Sequence, residues 1–197
     1  MKLSIQAIVT IAVAALSGCG GITANASPPT AAAVAAQTAH ASDAAGAYCK
    51  QTGGEVVVRR PVYGSNSSNL LFLAGERNFC QYTSKKDGSR IHILLETLYT
   101  TKPSLAALAY ILKPPTGSCN GNPASCYCTL LGGSDQFGGT SGAGGGWYNK
   151  NSIDQTLEAC IFPDMSSIDS WGLTYHAGGI VRGINLEKVM RYKYPGS

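Results

Sequence analysis

The chain has 197 residues, of which 44% are hydrophobic and 13% charged, with a net charge of +4 and seven cysteines. That is enough chain for one substantial core or two small ones, and it is too apolar for a disordered polyelectrolyte. The basic residues are scattered, with pairs such as Arg59-Arg60 and Lys85-Lys86 but no interleaved aromatics, which argues against a single-stranded nucleic-acid site; no nucleic-acid partner is expected.

Lys2 precedes an apolar run from Ile5 to Leu16, the length of a signal-peptide core and too short to span a bilayer as a mature helix. Leu16-Ser17-Gly18-Cys19 then matches the bacterial lipobox, a branched apolar residue and two small ones before a cysteine. Residues 1–18 therefore read as a lipoprotein signal peptide, and Cys19 as a lipidated N-terminus whose first partner is the lipid bilayer. Each buried acyl methylene adds about 0.8 kcal/mol, so more than one chain gives a stable anchor. Gly20-Gly21 follows with no acidic residue, which by resemblance to enterobacterial sorting favours the outer membrane within the cell envelope.

Residues 19–47 are rich in Ala, Ser and Thr, with Pro28-Pro29 and a single formal charge, Asp43. Too few large apolar side chains are present to offset the entropy of ordering, so the segment is expected to be a flexible tether. His40 reads as a solvated tether residue.

Beyond the tether, an α+β fold of two related small disulfide-stapled units is expected, residues 48–116 and 117–197. Setting Cys19 aside leaves an even set: Cys49, Cys80, Cys119, Cys126, Cys128 and Cys160. Tyr48-Cys49 and Tyr127-Cys128 are each followed, after three intervening residues, by a Gly pair, Gly53-Gly54 and Gly132-Gly133. Each then has a second cysteine at nearly the same distance, Cys80 and Cys160. A turn comes next in both, with Asp87-Gly88-Ser89-Arg90-Ile91 matching Asp164-Met165-Ser166-Ser167-Ile168. The repeat predicts short antiparallel strands and a closing helix in each unit. The helices are expected over 103–112, capped by Thr101, and over 186–192, capped by Asn185. Glu55-Val56-Val57-Val58-Arg59 predicts a strand, and the Gly-rich run from Gly138 to Gly146 a mobile loop. The duplication pairs Cys49 with Cys80 and Cys128 with Cys160, which leaves Cys119 for Cys126. Closing a loop of about 30 residues contributes roughly 3.5 to 4 kcal/mol through the unfolded state. Cys119, Cys126 and Cys128 lack a well-spaced fourth ligand for zinc, so no metal and no cofactor is expected.

Asn122-Pro123-Ala124-Ser125-Cys126-Tyr127-Cys128, Gly132-Gly133, Cys160-Ile161-Phe162-Pro163-Asp164-Met165-Ser166 and Trp171 together resemble a family of small bacterial domains, the domain-of-unknown-function 333 family, which carries the label hemolysin. The match runs from Asn122 to about Trp171; the first unit keeps only its outline. Met165 stands where the family usually has Gly, and residues 167–170 lack a cysteine the family often has there. The hemolysin label implies little here, since beyond the signal there is no amphipathic pore-forming hairpin or long apolar segment.

For chemistry, His92 and His176 lie in the folded region, with Asp164, Ser166, Ser167 and Asp169 close to His176 in sequence, but no Gly-x-Ser-x-Gly elbow precedes a helix. Asp164 is expected to cap a following helix, and Trp171 to be a core residue. No catalytic set is assigned. Trp147-Tyr148, at the end of the Gly-rich run, is the candidate contact for an envelope protein or peptidoglycan partner. The expected function is a non-enzymatic binding or inhibitory module, with a hydrolase of cell-wall or glycan material, using His176 with Asp164 or Asp169, as the alternative.

Overall fold

The run of branched residues at Val56-Val57-Val58 does form a strand, β1 (Glu55–Tyr63), and it continues well past the expected end. It changes partners midway: Glu55–Arg59 pairs with β3 (Arg77–Thr83), while Arg60–Tyr63 pairs with β5 (Gly145–Tyr148). Val62 and Tyr63 also pair with the short β2 (Leu71–Phe72). Pro61, which has no N–H to give, sits in this second half opposite Trp147. The structure, a computed structural model, describes residues 42–64, 70–115, 117–118, 120–135 and 145–196.

The remaining strands are β4 (Arg90–Leu94), β6 (Thr156–Leu157), β7 (Ala159–Ile161) and β8 (Ser167–Asp169). They join one antiparallel sheet in the order β6-β5-β1-β3-β4-β8-β7, with β2 beside β1. The helices are α1 (residues 42–51), α2 (Leu95–Tyr99), α3 (Leu105–Leu112), α4 (Pro123–Leu130) and α5 (Ser170–Ala177). Strand alternation splits the interior in two. Cys80, Tyr82, Ile91, Ile93 and Ile168 pack with residues of α1, α3, α4 and α5, whereas Phe79, Leu94, Trp147, Leu157 and Ala159 form a second, smaller cluster. Among the described residues no helix is long and apolar enough to cross a membrane.

Cys49 is bonded to Cys80 and Cys128 to Cys160, with sequence separations of 31 and 32. Cys126 is also disulfide-bonded; Cys119, its expected partner, lies outside the described residues. Around the two described bridges the local geometry is nearly identical. A helix carries Tyr-Cys, the next turn ends at a glycine of positive φ (Gly53 at 88°, Gly132 at 81°), and the following glycine donates its N–H to the cysteine carbonyl at 2.8 and 2.9 Å. A Cβ on Gly54 or Gly133 would stand 2.3 or 2.4 Å from a bridge sulfur, so neither position accepts a side chain without movement. After the second cysteine, Asp87 and Asp164 each accept from the N–H and hydroxyl of a serine two residues on. The residue between is left-handed in both, Gly88 at 70° and Met165 at 65°.

Several sequence expectations change. Residues 42–47, assigned to the tether, are helical, and Ala45 is buried; the small side chains lacked a large apolar stripe, yet Ala45 packs in the main cluster and Gly46 faces Val56 and Leu95 with room for a methyl group. α3 begins at Leu105 with Ser104, not Thr101, as N-cap. The helix expected over 186–192 is a single 3-10 turn, Leu186–Lys188, although Asn185 does cap it. Arg191 instead gives its N–H to Leu98 O, which ties the chain across the first unit and stops the helix. The two expected units are not separate bodies: β4 pairs with β8, and β5 of the later segment pairs onto β1 and carries β6 on its far side.

Candidate functional site

Arg59 continues the inward phase set by Val57 on β1, and so a guanidinium is carried into the interior, fully buried. Its Nη1 donates to the carbonyls of Trp147 (3.0 Å) and Asp154 (2.9 Å), and its Nη2 to Ser152 Oγ (3.0 Å). Nη2 also lies 3.2 Å from His92 Nε2, and His92 Nδ1 lies 3.3 Å from Asp169 Oδ2. Asp169 is the N-cap of α5, accepting from Gly172 N–H. Burial lowers the Arg59 pKa to about 10, against the opposing pull of Asp154 and Asp169. The chain thus runs Arg59, His92, Asp169, with the imidazole bridging cation and anion. All three are sealed from solvent.

A second buried group centres on Asp135, whose carboxylate accepts from Ser125 Oγ on α4 and Ser170 Oγ on α5. Burial raises its pKa to about 6 in spite of these two bonds, which pull the other way. In a third, His176 stacks on Tyr110 with centroids 3.8 Å apart and places Nε2 3.3 Å from Glu187 Oε1. Burial, followed by the charge of Lys113, lowers the His176 pKa, and Glu187 opposes this.

These placements answer the sequence-based candidates one by one. His176 meets Glu187, while Asp169 is held by His92 and α5. Asp164 turns back to accept from Leu105 N–H (2.8 Å) at the start of α3, and Ser166 Oγ accepts from Ala106 N–H (3.0 Å). Asp164 therefore caps an earlier helix, not the following one. Ser167 is buried, its N–H donating to Thr97 Oγ1. Trp147 is only 6% exposed and packs on Phe79 in the smaller cluster. Gly146 fits tightly against Leu157 in the β5–β6 pair, and Trp147 keeps only a small part of its surface for a partner. Tyr148 is half-buried, edge-on to the exposed Phe72. Cys19 and Gly138 lie outside the described residues.

Besides Phe72 and Tyr63, accessible aromatics lie on α5. Trp171 and Tyr175, one turn apart on α5, stand with ring centroids 5.8 Å apart and planes tilted by 30°. The helix ends at Gly178-Gly179, where Gly179 takes a positive φ of 84° and Ile180 N–H returns to Tyr175 O. This reversal lays Arg182 over the Tyr175 ring at 5.4 Å. With Asp87 and Ser89 of the β3–β4 turn, these residues line an open groove of about 470 Å³. Trp171, expected in the core, is half-buried on this groove. The i, i+4 spacing of Trp171 and Tyr175 was the sequence signal for a shared helix face, as the Val57, Arg59 alternation was for the buried arginine. Comparison with protein-family models, with curated proteins and with solved structures gave no match to this chain.

Proposed function

We propose that the chain is a membrane-anchored envelope lipoprotein, held by acylated Cys19, whose disulfide-stapled domain is a non-enzymatic binding or inhibitory module. One observation carries the second half of this reading. The groups with which a hydrolase would act are spent inside the protein: His92 and Asp169 in the arginine chain, His176 under Tyr110, Asp164 and Ser166 on the N-terminus of α3. What the domain presents outward is a rigid surface with an aromatic groove. The anchor rests on Leu16-Ser17-Gly18-Cys19 and on the pairing of the remaining cysteines. The outer membrane is the proposed location, with an envelope protein or peptidoglycan as partner.

We also read the domain as two copies of one unit, in line with the resemblance to the hemolysin-labelled family. The matching glycines, Asx turns and cysteine separations around the two bridges support this. The test has two arms. Intact mass of the mature chain should show an acylated N-terminal Cys19, and an unmodified thiol there refutes the anchor. The domain used as bait in solubilised envelopes should retain one saturable partner; retention of none under several conditions refutes the module.

A further inference from the structure

The two Asp-x-Ser turns differ in what they serve. In the later one, Ser166 Oγ accepts from Ala106 N–H and the Asp164 carboxylate from Leu105 N–H, so both acceptors are used by a helix N-terminus. In the earlier one, Ser89 Oγ accepts from Gly183 N–H at 3.0 Å, while the bonds of Asp87, to Ser84 and Ser89, stay within its own turn. Among the described residues no helix arrives at Asp87. Those bonds also hold its pKa down at about 2, so the exposed carboxylate is ionised at ordinary pH. It lines the groove together with Trp171, Tyr175, Ile180 and Arg182.

The site is held rigid. Gly183 lies so close to Tyr82 O and Ile91 that no Cβ fits, which pins the 180–183 strap to the sheet. The C-terminal turn of α5 fixes the strap at its other end. The volume, about 470 Å³, falls within the roughly 300 to 1,000 Å³ typical of ligand sites. Its chemistry is selective: the Trp171 face offers stacking area beside a Tyr175 ring that Arg182 covers, one carboxylate accepts and one guanidinium donates. A cation drawn to Asp87 meets Arg182, and an anion drawn to Arg182 meets Asp87. An uncharged ligand that carries both donors and acceptors around a flat apolar face uses all four groups together.

We propose that this groove binds an N-acetylated pyranose of a glycan strand. The C–H face of the ring lies on Trp171 and abuts Tyr175, hydroxyl or acetamido N–H groups donate to Asp87, and Arg182, held over Tyr175, donates to ring-substituent oxygens. This rests on the reading of the domain as a binding module and gives it a ligand class and a place.

The experiment titrates the full mature chain with oligomers of β-1,4-linked N-acetylglucosamine and follows tryptophan emission. A saturable blue shift that persists in Trp147→Phe is expected, because Trp171 is the half-exposed reporter. Tyr175→Ala and Asp87→Asn change exposed residues and should each weaken binding about tenfold or more with unchanged circular dichroism. Oligomer binding that both variants retain overturns this site and leaves the module intact. No oligomer binding, with a protein partner whose capture both variants abolish, overturns the glycan assignment alone. Failure to bind either one overturns the module as well.

Discussion

Gly54→Ala isolates the close packing at the first bridge. A Cβ there would lie 2.3 Å from Cys80 Sγ, 2.9 Å from Cys49 Sγ and 2.9 Å from the Tyr82 ring. Unstrained contacts need about 3.5 to 4.0 Å, so the Cys80 sulfur must retreat by more than about 1 Å. It is not free to do so, because the bridge fixes it between α1 and β3 and disulfide geometry tolerates little change. The shift must come from α1 moving off the sheet, which opens contacts around Ala45, Val56 and Leu95. Overpacking in a core costs about 1 to 3 kcal/mol, and a cross-linked neighbour places this case at the top, about 3 kcal/mol. In a Cys49→Ala/Cys80→Ala background the sulfurs are gone and only Tyr82 is crowded, so the same change should cost about 1 kcal/mol, a coupling of roughly 2 kcal/mol. Urea unfolding, with the midpoint read at constant slope, measures both values. Equal costs in the two backgrounds would refute the sulfur contact as the cause. Gly133→Ala, 2.4 Å from Cys160 Sγ, supplies an independent repeat.

Arg59→Met should leave His92 and Asp169 buried without their cation and destabilise by about 3 to 5 kcal/mol, seen as a melting temperature lower by roughly 10 °C; a change of only a degree or two would refute the electrostatic role. Asp135 carries a pH signature of definite sign. Its folded pKa is raised from 3.8 to about 6, so between those values the folded state holds a proton that the unfolded state has released. The corresponding stability is fully present below about pH 3.8 and is lost as pH rises to about 6, a contribution of at most about 3 kcal/mol. Asp135→Asn should flatten that part of the stability-versus-pH curve relative to the unaltered protein, and an unchanged slope between about pH 4 and about 6 would contradict the assignment.

The bridges were legible because the motif around them occurs twice: Tyr-Cys and the Gly pair mark a helix end that reverses beneath a sulfur, and only glycine fits there. The β1 strand was legible from its branched residues, but its change of partner was not, since that depends on β5 arriving from far along the chain. The same holds for the β4–β8 pairing. Local propensity misplaced the ends. Leu186 and Met190 have helical spacing and both are buried, yet a backbone bond from Arg191 to Leu98 ends the turn. The aromatic groove escaped notice because it needs Asp87 and Ser89 beside α5, residues that only tertiary structure brings together.

The seam between β4 and β8 bears on the reading of two copies. Extending the Asp87–Ile91 match to Asp164–Ile168 by one residue equates His92 with Asp169. The register that sets Ile93 opposite Ile168 then brings His92 and Asp169 face to face, so matching positions meet each other, as residues on a local twofold axis must. Identical residues at such a point would place two carboxylates or two imidazoles in contact. One carboxylate and one imidazole make a bond, and the second imidazole nitrogen faces Gln81 Oε1 at 2.9 Å and Arg59 Nη2 at 3.2 Å. Exchange of the pair, His92→Asp with Asp169→His, tests the axis. The carboxylate introduced on β4 would then face Arg59 directly, and the imidazole introduced on β8 would complete the contact. Each single change should cost more than about 2 kcal/mol by leaving like groups buried together, while the double change should recover at least about 1 kcal/mol of their sum. Chemical unfolding of the four proteins measures the cycle. Strict additivity would mean that the two side chains do not act as one pair, and the twofold reading of the seam would fall with it.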